Sequence, residues 1–543
     1  MLIRLKGFKV NSFCNKTSKY KVLLLILFGS YLSLNAQQQY HDLDYTTKYK
    51  LDRKINSDNS FTHTGFKPIL QSQMSFNTDS LIKEYGRDSA LLLKMKHPVW
   101  WKKLRTEDLL IVNKKDFYLT INPLFNFAMG SDNLDSNLSI NTRGISIKGS
   151  ITKQLSFKTD FYENQAFFPN YITEYSKKHH VVPGQGRLRN FKGSGFDFAH
   201  ASGSLSFTPL KWLNFNIGHG KHFIGEGYRS LLLSDNAFNY PYFKITTNFK
   251  KFQYVYMLTS FQRASNADTR LLTYQRTHGS FLFLNYIFNQ YIQVGLFEGL
   301  IAQTADSTSN NNFTPGFFNP FILGKSIQYG FNDNNNVLIG LTAKVKISKG
   351  IQTYGQLMLD DDVDKKYAYQ VGVKFFNLFT LKNLYFQSEY NWVQPYSYSH
   401  TNQYQNYSYY NQPLAHTIGT GFAEFVGILS YRISDFIIYF KVNHITTATD
   451  QIIDGNETNY GVNIFKPDVT ASLNPISDSN IGNGNKTERI YYNLRLSYLI
   501  NPVTNFQIYF EYTHRKEIIG AKSDTEYFFF GIRTQLNNHY YDF

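Results

Sequence analysis

Along most of this chain, side-chain polarity alternates with a period of two over segments of roughly 10–14 residues. A β-strand sends successive side chains to opposite faces, so such alternation means a strand between two unlike environments. In 490–500, Ile490, Tyr492, Leu494, Leu496, Tyr498 and Ile500 share one face, and Tyr491, Asn493, Arg495 and Ser497 share the other. In 506–513, Phe506, Ile508, Phe510 and Tyr512 oppose Gln507, Tyr509, Glu511 and Thr513. Leu384, Phe386, Tyr390 and Trp392 oppose Tyr385, Gln387, Glu389 and Asn391. Strands of globular proteins average about 5–6 residues, whereas a tilted strand that crosses a bilayer needs about 9–11. One face suits lipid or a core; the other suits water.

Read this way throughout, the sequence predicts strands near 117–129, 138–150, 153–164, 196–208, 211–221, 240–249, 251–263, 277–288, 291–302, 334–348, 351–362, 366–377, 383–394, 417–432, 435–446, 487–500, 503–516 and 524–537, eighteen in all. Short connections at 150–153, 208–211, 249–251, 288–291, 348–351, 377–383, 433–435 and 500–503 take turns with mostly longer ones, among them 165–195, 222–239, 303–333, 395–416 and 447–486. An outer-membrane barrel keeps short turns in the periplasm and long loops outside, whereas a soluble sandwich has no reason to alternate them. The 362–366 connection is short for an outer loop and breaks the pattern. The expected fold class is therefore all-β: a transmembrane outer-membrane β-barrel of about eighteen antiparallel strands over 117–543.

Composition agrees. Aromatic residues make up 17% of the 543, and charged residues only 18%, below the ~25% of soluble domains. That aromatic content excludes a disordered chain and fits aromatic girdles at two membrane interfaces. Past the N-terminus no run approaches the ~20 apolar residues of a membrane helix. The chain stops at Tyr540-Tyr541-Asp542-Phe543, a terminal strand ending in an aromatic residue of the kind that barrel-insertion machinery reads.

Residues 1–36 carry Arg4, Lys6, Lys9, Lys16, Lys19 and Lys21, then the apolar stretch Val22–Phe28, then Leu34-Asn35-Ala36. A basic start, a short apolar core and a small residue at the cut read as a signal peptide cleaved near Ala36. The expected location is the outer membrane of a Gram-negative bacterium. Cleavage removes Cys14, the one cysteine, and with it thiol catalysis and disulfides; the net charge falls from +16 to 16 − 6 = +10. Segment 37–116 differs from the rest. Thr78–Tyr85 has helical spacing after capping residues, Leu91–Met95 continues it, and Trp100-Trp101-Lys102-Lys103-Leu104 starts a second short helix. It reads as a small, partly helical segment in the periplasm or plugging the barrel.

The chemistry-bearing motifs are sparse. Gly184-Gln185-Gly186 and Gly225-Glu226-Gly227 do not complete a dinucleotide fingerprint, and no phosphate-binding Gly-Lys-Ser/Thr occurs. His179-His180 reads as a solvated loop pair, and Asp450, Asp454 and Glu457 lack the spacing of a calcium loop. No cofactor, no metal and no catalytic residue is expected. Ser230, Asp235 and His219 could be forced into a hydrolase role, but nothing in their spacing demands it.

Two loops stand out. Loop 165–195 sets Lys177, Lys178, Arg187, Arg189 and Lys192 against Glu174, beside Tyr171, Tyr175 and Phe191. Cations for carboxylates and aromatic faces for sugar rings fit an acidic polysaccharide; acidic lipid headgroups would suit the same charge. Nucleic acid is also drawn to basic charge, but the compartment excludes it. Stretch 218–244 falls on an outer loop yet carries Leu231-Leu232-Leu233, which water would not tolerate well. It is expected to fold inward and pack in the barrel mouth. Its polar residues His222, Glu226, Tyr228, Arg229, Asp235 and Asn236 either contact a sugar or satisfy the backbone of a plug.

That stretch, Gly225-x-Gly227-x-x-Ser230-Leu231-Leu232-Leu233-Ser234-Asp235-Asn236-Ala237 with Pro241 after it, resembles the hallmark of the Wzi family of capsule-assembly outer-membrane proteins. Asn319-Pro320-Phe321 leading to Tyr329-Gly330-x-x-Asp333-Asn334, and Asn411-Gln412-Pro413-Leu414-Ala415-His416-x-x-Gly419 leading to Glu424, are similar to bacteroidete members. The resemblance runs over most of 115–543. It implies an eighteen-stranded barrel, occluded by loops and helices, that attaches capsular polysaccharide to the cell surface without enzymatic activity. Some bacteroidete relatives are linked to gliding motility, which implies instead a protein partner in gliding, secretion or adhesin display, met at Trp100-Trp101-Lys102-Lys103. Phe223-Ile224 stand where the capsule proteins tend to have tryptophans.

Overall fold

The computed structural model describes residues 39–58, 61–74, 76, 99–134, 136–263, 275–303, 315–329, 335–361, 366–453, 455–468 and 479–543. The segment 1–36 and the spacing of helical type at 78–95 lie outside them.

Eighteen antiparallel strands close a barrel. They are β1 Phe117–Asp132, β2 Asn137–Ile151, β3 Leu155–Phe167, β4 Gly195–Leu210, β5 Leu213–Gly220, β6 Tyr240–Phe249, β7 Phe252–Arg263, β8 Gln275–Ile287, β9 Ile292–Gln303, β10 Asn336–Ser348, β11 Ile351–Asp361, β12 Lys366–Phe376, β13 Leu384–Val393, β14 Phe422–Ile433, β15 Phe436–Thr449, β16 Asn485–Asn501, β17 Phe506–Ile519 and β18 Ala521–Arg533. Each expected strand has its counterpart. The largest displacement is at β14, expected from 417 but starting at Phe422: Gly419 and Gly421 sit at φ +93° and +66°, left-handed conformations that stop an extended backbone.

The two faces separate as the alternation requires. In β16, Tyr491, Asn493, Ser497 and Leu499 are buried inside, while Tyr492 and Leu496 are 39% and 43% exposed on the outer wall. The outer wall is apolar around the barrel, with Ile217, Leu341, Leu357, Val371 and Phe440 exposed. Closure pairs β18 with β1, Tyr527 opposite Asp132 through Arg533 opposite Asn126. The lower half of β1 is covered instead by strand Leu110–Lys114, paired from Leu110–Ile121 to Lys114–Phe117. Helix Val99–Arg105 precedes it and is held at the rim by Asn501, whose Nδ2 donates to the carbonyls of Lys103 and Glu107 at 3.1 and 3.0 Å.

The barrel is filled. Helix α1, Tyr45–Ser57, runs from the lumen, where Tyr45 Oη donates to the Tyr228 carbonyl at 2.6 Å, toward the short-turn end. Asn56 Nδ2 donates to the Ser348 and Lys349 carbonyls of the β10–β11 turn at 3.0 and 2.9 Å. Residues Phe66–Lys67 pair with Phe223–Ile224 inside the lumen. Helix α2, Asn170–His179, sits in the long loop after β3.

The last strand corrects the sequence reading: it ends at Arg533, not near 537, and the aromatic chain end lies outside it. From Thr534 the alternation fails, and residues 534–543 turn into the lumen. Gln535 donates to Asp42 at 3.2 Å, Tyr540 to Asp235 at 2.6 Å, and Phe543 packs on Tyr175 of α2 with ring centres 4.7 Å apart. The Asp542 charge finds Arg229 and Lys441 there, and it could find neither on a lipid-facing strand.

Candidate functional site: a charged plug beneath a basic mouth

Loop 221–239 folds inward, as its three leucines demand. Leu231, Leu232 and Leu233 are fully buried against the inner wall. Gly340 makes this fit possible, since a Cβ there would lie 2.3 Å from Leu232 Cδ2. The loop still has backbone carbonyls to satisfy, because an unpaired buried one is costly. Loop 395–416 supplies the donors: Tyr398 Oη to the Leu231 carbonyl at 2.7 Å, Tyr407 Oη to Leu232 at 2.7 Å, and Tyr409 Oη to Asn239 at 2.9 Å. Gln356 Oε1 accepts from the Leu231 amide at 2.7 Å.

Beside the leucines lies a buried network of charges. Arg229 forks onto Glu424, Nη2–Oε1 2.9 Å and Nε–Oε2 3.2 Å, and reaches Asp542 Oδ1 at 3.2 Å. Lys441 meets Asp542 Oδ2 at 2.7 Å, and His416 Nε2 lies 2.6 Å from Glu424 Oε2. Glu389 accepts from the amides of Tyr228 and Arg229 at 2.7 and 3.1 Å and from Tyr354 Oη at 2.8 Å. Glycine at 227 is required there, because a Cβ would lie 2.4 Å from Glu389 Oε2. Burial alone would raise the Asp542 carboxyl, but Arg229 and Lys441 overcome it and hold the group well below the usual carboxylate range.

A second cluster ties the N-terminal segment in. Asp52 pairs with Lys374 at 2.6 Å, and Glu226 lies 3.7 Å from Lys67 and accepts from Thr64 Oγ1. Glu226 is likewise held low: burial raises it, Lys344 and Lys67 lower it more. Lys48 donates to the Gly227 carbonyl at 2.6 Å. Burial, with repulsion from Lys374 and Lys67, pushes its ammonium down to about 7.

The predicted site residues therefore divide. His222, Glu226, Tyr228, Arg229, Asp235 and Asn236 are all buried. Tyr228 donates to Asp542 at 2.8 Å, Asp235 accepts from Tyr540 and from Asn538 Nδ2 at 3.0 Å, and Asn236 Nδ2 donates to the Pro413 carbonyl at 3.1 Å. His222 lies 3.3 Å from Tyr240 Oη, and burial reinforced by Lys244 holds it neutral. Lys177, Lys178, Arg187 and Arg189 are exposed at the long-loop end. The two lysines end α2, where the helix dipole favours cations. The Val181–Arg187 bridge folds the next segment back, and strand Arg189–Phe191 pairs with the start of β4. His219, Ser230 and Asp235 do not form a triad: their side chains bond Ala201, Ile224 and Tyr540. His179 packs against Tyr175 with ring centres 4.3 Å apart, and among the described residues no His, Cys, Asp and Glu cluster could hold a metal.

The arrangement closes the lumen with paired charges and leaves cations outside. The chain shares its fold with Wzi of Escherichia coli. That solved structure, described as an outer membrane protein involved in group 1 capsule assembly and as a carbohydrate-binding β-barrel, matches with a TM-score of 0.54 over 93% of this chain and 100% of its own, at 11% identity. OpdK and OprD of Pseudomonas aeruginosa also match, at TM-scores of 0.41 and 0.40, identities of 7% and 11%, and coverage of 77% and 80% of this chain and 98% and 99% of theirs. No family model and no curated protein sequence matches. At such identity the likeness to Wzi is one of fold.

Sequence reading missed the lumenal partners supplied by the two ends of the chain. Tyr45 and Tyr540 bond each other, Asp42 bridges Lys148 at 2.5 Å and Lys158, and Asp542 completes the Arg229 cluster. The loss of alternation after Arg533 was the one signal that pointed to the tail.

Proposed function

We propose that this chain is a non-enzymatic outer-membrane barrel, short turns in the periplasm and long loops outside, that binds an acidic surface polysaccharide and supports its assembly at the cell surface. The leader 1–36 would direct it there and be removed near Ala36. The observation that carries the reading is the division just described. The plug's charges are spent on one another, which disfavours a solute channel, while Lys177, Lys178, Arg187 and Arg189 stay exposed beside α2. A polymer too wide for the lumen can still lay carboxylates along such a face. The capsule-assembly and carbohydrate-binding description of the structural neighbour supports the same reading.

The test is calorimetric titration of the detergent-solubilised protein with the organism's own surface polysaccharide. Saturable binding, abolished when all four cations become glutamine, is expected. Absence of binding to any native glycan would sink the reading.

One observation favours a second reading. At the short-turn rim, Val99 and Trp100 are 74% and 63% exposed on helix Val99–Arg105. An aromatic side chain presented so fits a periplasmic protein partner, as in a gliding or secretion assembly. Crosslinking from position 100 would reveal it, and a bare, uncrosslinked rim would remove it.

A further inference from the structure

The outer wall of β7 to β10 breaks the rule that the rest of the barrel obeys. Elsewhere, outward-facing side chains are exposed: Leu357 56%, Val371 62%, Phe440 37%. On this flank Leu282, Leu300 and Val337 are at most 1% exposed, although β-pairing in register with Leu341 sets them outward. Among the polar side chains of that wall, Ser280 and Glu298 are fully buried. An unpaired carboxylate facing hydrocarbon would be prohibitively costly.

The cover is residues 315–329, part of the long connection after β9, folded down along the outside. Ser326 gives Glu298 Oε1 both its amide at 2.7 Å and its hydroxyl at 2.5 Å. Lys325, itself buried, donates to Ser280 Oγ at 2.6 Å. Phe317 packs with Leu300 and Val337. Glu298 and Ser280 each lie five residues inside their strand ends, roughly 12 Å of descent at a typical rise and tilt. The cover therefore reaches well into an apolar band about 25 Å tall.

We propose that segment 315–329 is a membrane-embedded clasp, its inner side locked onto Glu298 and Ser280 and its outer side in contact with lipid acyl chains. This rests on the reading of the barrel as membrane-spanning. Irregular backbone survives in hydrocarbon only where its polar groups are satisfied by protein, and several of those of 315–329 are, although Glu298 Oε2 keeps no hydrogen-bond partner. The Phe318 carbonyl accepts from Tyr256 Oη at 3.2 Å, and the Pro320 carbonyl accepts from Tyr254 Oη. The Phe321 amide donates to Asn319 Oδ1 at 3.0 Å, and Gly324 and Ile327 donate to Phe321 and Leu323 carbonyls at 2.9 and 3.0 Å. What the clasp turns away from the barrel is mostly apolar: Phe318 is 48%, Phe321 76% and Ile327 84% exposed, with Gln328 the polar exception. That surface continues the apolar outer wall at Leu341 and Leu357, which argues for the same occupant.

The experiment places single nitroxide labels on the mature protein, which has no cysteine of its own, in phosphatidylcholine–phosphatidylglycerol vesicles. Ile327→Cys and Phe321→Cys are compared with Val371→Cys on the bare wall and Lys177→Cys on the loop. Each label is scored by its collisions with oxygen, which concentrates in hydrocarbon, and with a water-soluble nickel chelate. Oxygen-dominated collisions at 327 and 321, as at 371, are expected. Adding Glu298→Leu should release the clasp and shift 327 toward nickel while 371 stays unchanged. Nickel-dominated collisions at 327 and 321 with 371 still oxygen-dominated would overturn the clasp and leave the barrel standing. Shielding of 327 from both reagents would overturn it in favour of contact between copies. A nickel-dominated 371 would overturn the membrane-spanning reading, and the clasp with it.

Discussion

Arg187 in loop 165–195 and Arg229 in loop 221–239 are the same residue type on two neighbouring loops of one barrel, yet Arg187 is exposed and Arg229 is 2% exposed. The difference lies in partners. Around Arg229 converge Glu424 from β14, Asp542 from the chain end and the ring of Tyr540, 5.3 Å from its guanidinium. Among the described residues Arg187 has no ion-pair partner. A buried charge is tolerable only when opposite charges and hydrogen bonds compensate it, so position in the lumen follows from what other segments deliver there.

The sharpest way to break that contrast is to remove Arg229. Arg229→Ala leaves Glu424 and Asp542 buried with an incomplete shell, and a loss of roughly 3–5 kcal/mol is expected. Urea unfolding of the barrel in detergent measures it, and a loss under 1 kcal/mol would mean that water replaces the guanidinium. Leu232→Ala tests the apolar half of the same plug. It opens a cavity against Gly340, and about 2–5 kcal/mol should be lost.

The wall of the barrel was legible because a period-two pattern is a local property: Ile490, Tyr492 and Leu494 declare their face without knowledge of any partner. Leu231-Leu232-Leu233 was legible for a related reason, since three leucines in a loop contradict exposure. The charges around them were not. Glu424 and Asp542 lie 195 and 313 residues from Arg229, and no spacing in the sequence encodes a meeting at that range. The clasp was hidden by its own composition. Asn319-Pro320-Phe321 stands out only as a motif, and Lys325 and Ser326 look like ordinary loop residues until the burial of Glu298 and Ser280 shows what they cover.

Acid titration sharpens the comparison further. Asp542, Glu226 and Asp52 all have folded-state values below their unfolded ones, because paired lysines and Arg229 outweigh burial. Their contribution is complete above the unfolded values near 4 and is lost as pH falls through the folded ones. The unfolding midpoint should therefore hold from pH 7 to 5 and drop below about 4. Lys48 works in the opposite range. Its folded value of about 7 lies under an unfolded value of about 10.4, so the unfolded state binds more protons between the two. Stability should rise over that interval, and Lys48→Met should flatten the rise. A slope unchanged by Lys48→Met would assign it to other groups.

Arg187→Ala is the complement of Arg229→Ala and should be the quietest change in stability, within about 0.5 kcal/mol, since an exposed side chain leaves no buried partner behind. Its effect belongs to binding. If the mouth holds an acidic polymer, Arg187→Ala and Arg189→Ala each weaken binding, and the affinity of the parent protein falls with added salt because exposed pairs are screened over about 8–10 Å. If affinity and its salt dependence survive both substitutions, the exposed cations are only a solvated rim. Measured side by side, the two arginines then test one claim from opposite ends: Arg229 holds the lumen shut with no role in ligand contact, and Arg187 contacts ligand with no role in the lumen.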